Sequence, residues 1–146
     1  MLSISAYSKE LEGLKQLVSR KPLFLSDKSD VQIIGSRCSA LYLVLNFRAE
    51  EAFQSKDPKG IASEYLEKAS VYNQVREVLC KAENMSQLCI NQQKDFSKSY
   101  ADITVNNWKK NNDLFNAIVN DDLNVCDDNY PFFKRLARNL SKEIKK

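Results

Sequence analysis

Four cysteines, a run of aspartates and no histidine at all define the chemistry open to this chain of 146 residues. Without imidazole the commonest general base and metal ligand is missing, and triads of the Ser-His-Asp or Cys-His kind are excluded. Cys38, Cys80, Cys89 and Cys126 contain no C-x-x-C pair, so a structural zinc site has no ligand pattern to rest on. Two uses remain for them: buried free thiols, or two disulfides. If a turn separates Cys80 from Cys89, the two face each other across a helical hairpin. If one helix ran straight through, their separation would be about 13 Å, beyond the reach of a disulfide. Cys38 and Cys126 would form the second pair. The disulfide reading is taken because helix-linking geometry is available to one pair; small thiols filling core positions are the alternative. Disulfides imply a periplasmic or secreted location, with a leader already removed, rather than the cytoplasm.

The carboxylates concentrate in Asp121-Asp122-Leu123-Asn124-Val125-Cys126-Asp127-Asp128. As a calcium loop this segment lacks the turn glycine and the terminal glutamate. Glycosidase acids face each other across a cleft instead of sitting side by side. These aspartates therefore read as solvated acids near helix ends. Three glycines in the whole chain cannot build a P-loop or a dinucleotide fingerprint. No enzymatic activity, cofactor or metal is expected.

Tyr65, Tyr72, Phe96, Tyr100, Trp108, Phe115 and Phe133 fall at helical spacing and read as core. The alternative is an aromatic-lined pocket between helices for a small hydrophobic ligand. Phe132 lies off the Phe133 stripe and is expected at the surface beside Tyr130 and Arg135. An exposed aromatic next to arginine is a common interface anchor. Tyr130, Phe132 and Arg135, with Asp127 and Asp128, form the candidate interface.

The elements that would position these residues are helices. Three glycines and three prolines leave too few turn signals for an all-β chain. A first helix is expected over Ser5–Arg20, ended by Pro22. The second, about Asp27–Gln54, carries Val31, Ile34, Cys38, Leu41, Leu45, Ala49 and Ala52 on one stripe. Ile33, Ala40, Val44 and Phe47 make it apolar on other sides too, so it reads as the buried central helix. Asp57-Pro58 starts a third helix. A turn over Lys81–Ser86 follows, with Asn84 or Ser86 capping a fourth helix that reaches about Lys110. Asn111-Asn112-Asp113 marks a break, a short helix runs through Leu114–Val119, and Asn129-Tyr130-Pro131 opens the last. The expected fold is an all-α, single-domain bundle over residues 1–146, with five to six helices around the apolar helix at about 27–54.

The net charge of +3 is too small to imply a nucleic-acid partner. Basic residues gather after position 134, where a helix C-terminus accounts for them. The longest apolar stretch, Ala40–Leu45, is far short of the roughly 18–20 residues of a membrane span, and residues 1–8 lack the basic start and apolar core of a signal peptide.

Arg37-Cys38-Ser39-Ala40-Leu41-Tyr42-Leu43, together with the later Asp122-x-x-x-Cys126, resembles small helical bacterial periplasmic proteins, among them the helical immunity proteins of type VI secretion. The resemblance covers about a dozen residues. It implies a helical periplasmic binding protein and assigns no functional residues; Cys80 and Cys89 depart from its pattern. Residues and resemblance together lead to a non-enzymatic interaction protein that binds another protein, as an inhibitor or immunity factor does. The competing expectation is a small-molecule or lipid carrier.

Overall fold

The central helix forms where the apolar pattern places it. In the computed structural model, which describes residues 13–15, 28–53, 61–113 and 115–144, α1 runs Lys28–Phe53. Ile34, Cys38, Ala40, Leu41, Tyr42 and Leu45 are completely buried, and Asp30 to Tyr42 is enclosed almost all round. The last turns open outward: Leu43 is 40% and Phe47 62% exposed, so Phe47 does not join the core face expected of it. The Arg48 guanidinium lies 5.6 Å from its ring centre.

Around α1 pack α2 (Ile61–Ala82), α3 (Ser86–Asn111) and α4 (Ala117–Ile144). The described residues contain no strand, and none of their helices is long and apolar enough to cross a membrane. The described residues hold four long helices, where five to six were expected of the whole chain. The expected Ser5–Arg20 helix lies outside the described residues, apart from Gly13 to Lys15, as do Asp57 and Pro58. The other difference is a correction. The short helix expected before Val119 and the last helix expected from Asn129 are one helix of 28 residues, with Pro131 inside it. An interior proline forfeits one backbone hydrogen bond and costs about 3 kcal/mol. Here Pro131 and Asp127, whose carbonyl loses its partner, are both exposed, so water reaches that side of the helix. On the inner side Cys126, Phe133 and Ala137 are buried and hold both halves against the core.

Two turns among the described residues use asparagine where glycine is usual. Asn84, at φ 56°, ends α2; the Met85 amide reaches back to the Cys80 carbonyl at 2.8 Å and the Asn84 amide to Lys81 at 3.1 Å. That is a Schellman closure, in which asparagine tolerates the left-handed conformation. Asn84 therefore closes α2 and does not cap α3, whose N-cap is Met85 with no side-chain cap bond. Asn112, at φ 53°, closes α3 with the simpler left-handed cap, its amide donating to the Trp108 carbonyl at 2.9 Å. The Asn116 side chain then accepts the Val119 amide at 2.9 Å and caps α4.

Helices α1 and α2 approach closely at Gly35. A Cβ there would lie 3.3 Å from the Arg76 Cβ and 3.4 Å from the Tyr72 carbonyl oxygen. Alanine gains about 1 kcal/mol of helix propensity, which offsets much of that crowding. Gly35→Ala is expected to fall within about 1 kcal/mol of wild type, whereas Gly35→Val, which adds two methyls to the contact, should lose about 2–3 kcal/mol. Urea denaturation of the pair checks this; equal stabilities would remove the close approach as a constraint.

Candidate interaction surface

Both cysteine pairs are bonded. Cys38 of α1 joins Cys126 of α4 with Cα atoms 5.6 Å apart, and Cys80 joins Cys89 across the α2–α3 turn at 6.4 Å. The first pins α4 against the central helix at the point where the candidate residues begin. Immediately after it, Asp127 accepts hydrogen bonds from the Tyr42 hydroxyl and from Lys68 Nζ, the latter at 3.1 Å. The Tyr72 hydroxyl donates to the Cys126 carbonyl. Lys68 also pairs with Glu64 at 3.1 Å, and its ammonium lies 5.7 and 5.5 Å from the ring centres of Tyr42 and Tyr130. Burial lowers the affinity of Lys68 for its proton, but the carboxylates of Asp127 and Glu64 outweigh it and the pKa is raised.

The expected interface residues do not all share one face. Asp127, Asp128 and Arg135 are exposed on the outward side of α4. Tyr130 is half-buried toward α2, its ring 6.2 Å from that of Tyr72. Two residues on, Phe132 points about 200° around the helix, half-buried and edge-on to Phe133 at 5.6 Å. It is thus not the exposed partner of Tyr130 that its position off the stripe suggested. Lys134, Arg138 and Lys142 are exposed on the same side as Arg135. The outward face of α4 accordingly runs from acidic to basic along its length.

Asp122 belongs to a different environment from the solvated acids with which it was grouped. It is completely buried, and Arg37 is 3% exposed. Arg37 Nη2 donates to Asp122 Oδ2 at 2.8 Å, and Arg37 Nε donates to the Tyr100 hydroxyl at 2.9 Å. That hydroxyl donates in turn to Asp122 Oδ2 at 2.6 Å, and the Leu14 amide satisfies Oδ1 at 2.7 Å. The guanidinium also lies 5.3 and 5.5 Å from the ring centres of Phe96 and Tyr100. This network ties α1, α3, α4 and the segment at Leu14 together. Its polar groups bond to one another and are shielded from water, which suits a structural role. The spacing signal was present: Val119, Asp122, Cys126, Phe133 and Ala137 share one helical stripe, all buried.

Six of the described aromatic residues, Tyr42, Tyr65, Tyr72, Tyr130, Phe132 and Phe133, meet as rings, whereas Trp108, expected in the core, is 43% exposed. Tyr42, Tyr72 and Phe133 are completely buried, with centroids 5.8 Å apart for the two tyrosines and 4.5 Å for Tyr72 and Phe133. Tyr42, Tyr72 and Tyr100 are all held well above the ordinary tyrosine pKa, first by burial. Asp127 adds to the shift at Tyr42 and Tyr72; at Tyr100 the Arg37 charge opposes it and Asp122 adds to it. Their folded pKa values lie above the unfolded value of about 10. The stability they contribute is therefore complete below pH 10 and is lost as pH rises beyond it. In an alkaline titration followed at 295 nm, three of the six tyrosines should ionise only together with loss of helical circular dichroism. Six independent ionisations near pH 10 would contradict the burial.

No protein-family model matches this chain, and no curated protein or solved structure is detectably similar to it.

Proposed function

We infer that this chain is a non-enzymatic binding protein of the inhibitor or immunity type, acting in the periplasm or another oxidising compartment, with the outward face of α4 as its protein-docking surface. One observation carries the reading: α4 is fixed to the core by a disulfide, the Tyr72 and Tyr42 hydrogen bonds and Phe133, while Asp127, Asp128, Lys134, Arg135, Arg138 and Lys142 stay exposed along it. A rigid surface binds with little ordering cost, and graded charge of both signs sets the register of a complementary partner. The enclosed Arg37, Asp122 and Tyr100 bond to one another and so are not offered to a substrate. The buried cystines favour an oxidising location, in keeping with the resemblance to helical periplasmic immunity proteins.

A photo-crosslinking residue at position 135, compared with one at the exposed Lys98 of α3, tests the assignment in extract from the native source. Position 135 should capture one protein, competed by excess unlabelled chain and lost when Arg138 and Lys142 are changed to glutamate. The same adducts from position 98, or no competition, would overturn it.

A further inference from the structure

On elements other than the α4 surface, a cleft of about 250 Å³ opens between α2 and α3 beside the Cys80–Cys89 disulfide. Arg76, Glu77, Cys80, Lys81, Ser86 and Ile90 line it. Its unusual member is Arg76, only 3% exposed yet poorly neutralised. Arg76 Nε and Nη2 donate to one neutral acceptor, Asn73 Oδ1, at 3.2 and 2.7 Å. The nearest carboxylate in its ion-pair contacts, Glu77 Oε1, stands 3.7 Å away on a side chain 63% exposed to water. Nη1 makes no hydrogen bond among the described residues. Buried charges are ordinarily paired and hydrogen-bonded, and Arg37 in this same molecule shows the paired arrangement. Arg76 differs in that it borders an open cleft.

Two further features favour negative charge there. Ser86 begins the 26-residue helix α3, whose N-terminus has no side-chain cap, so its first amides and the positive end of the helix dipole are available to an anion. Lys81 adds a cation at the rim. The rest of the lining selects among anions. Ile90 and the disulfide are apolar walls, and Glu77 would repel a second negative charge. The volume is that of about eight waters, smaller than a drug-sized site.

We propose that this cleft binds a small monocarboxylate with an apolar body, its carboxylate on the Arg76 guanidinium and the α3 N-terminus, its body against Ile90 and Cys80. Benzoate is the probe, with benzamide as neutral isostere and inorganic phosphate as an anion lacking the apolar body, each titrated into the intact oxidised protein by ¹H–¹⁵N NMR. Benzoate should saturate shifts at Ser86, Gln87, Leu88 and the Arg76 side chain, and bind at least tenfold tighter than benzamide or phosphate. Arg76→Met should weaken benzoate at least tenfold. Because that residue is buried and its loss can disturb folding, Ile90→Asp at a part-exposed position is the second variant, with the same expected loss. Equal binding of benzoate and benzamide, equal binding of phosphate, shifts confined to the basic end of α4, or full affinity in Ile90→Asp would each overturn the proposal.

Discussion

Arg37→Met is expected to cost about 3–5 kcal/mol, because it strands the Asp122 carboxylate in a site with no water to solvate it. Three donors serve that carboxylate: Arg37 Nη2 at 2.8 Å, the Tyr100 hydroxyl at 2.6 Å and the Leu14 amide at 2.7 Å. Removing the charged one leaves two neutral donors for a full negative charge. Methionine keeps most of the packing against Phe96, so the loss reports the charge and not a cavity. The double variant Arg37→Met/Asp122→Leu should recover much of the stability, since a buried ion pair replaced by apolar groups of similar volume is often neutral. Tyr100→Phe removes one donor and one acceptor and should cost about 1–3 kcal/mol. Urea denaturation of the cycle measures all three. A loss under about 1 kcal/mol for Arg37→Met would mean that Asp122 finds water or a proton in the folded state. Because Leu14 bonds to the same carboxylate, hydrogen exchange at its amide should rise in Arg37→Met before that of α1 does.

This network also marks the limit of what the chain discloses locally. Helix α1 was legible because its residues are apolar on every side, and only a buried helix reads that way. The α2–α3 turn was legible as a break over Lys81–Ser86, and the Cys80–Cys89 bond followed from it, since the two could bond only if the chain reversed between them. Asp122 was hidden among four similar residues, although its register with Cys126 and Phe133 placed it inward. Its partner lies 85 positions away, and no local pattern encodes that distance. Pro131 misled in the opposite direction. Asn129-Tyr130-Pro131 is a strong local start signal, and tertiary contacts at Cys126 and Phe133 override it by holding both halves of one helix on the same core. Phe132, which reads as exposed because it lies off the Phe133 stripe, packs edge-on against the flank of Phe133 instead.

The two disulfides should differ in worth, and in an order set by loop length. Cys38–Cys126 closes a separation of 88 residues and Cys80–Cys89 one of 9. On the chain-entropy account the long loop contributes about 4–5 kcal/mol and the short one about 2.5–3. The short pair spans a turn already closed by the Asn84 Schellman bonds, whereas the long pair is a covalent tie between α1 and α4. Cys38→Ala/Cys126→Ala should therefore lower the urea midpoint more than Cys80→Ala/Cys89→Ala; the reverse order would defeat the loop-length account. Together the two pairs amount to about 7 kcal/mol, against a total stability of about 5–15 kcal/mol for a typical domain. A chain so dependent on cystine is expected to fold poorly where thiols stay reduced. Expressed in a reducing cytoplasm with its thiols trapped by alkylation, it should accumulate as protease-sensitive chain, and exported to an oxidising compartment it should resist the same protease. Equal resistance in both would show that the helical packing suffices alone, and would remove the cystines as grounds for placing the protein outside the cytoplasm.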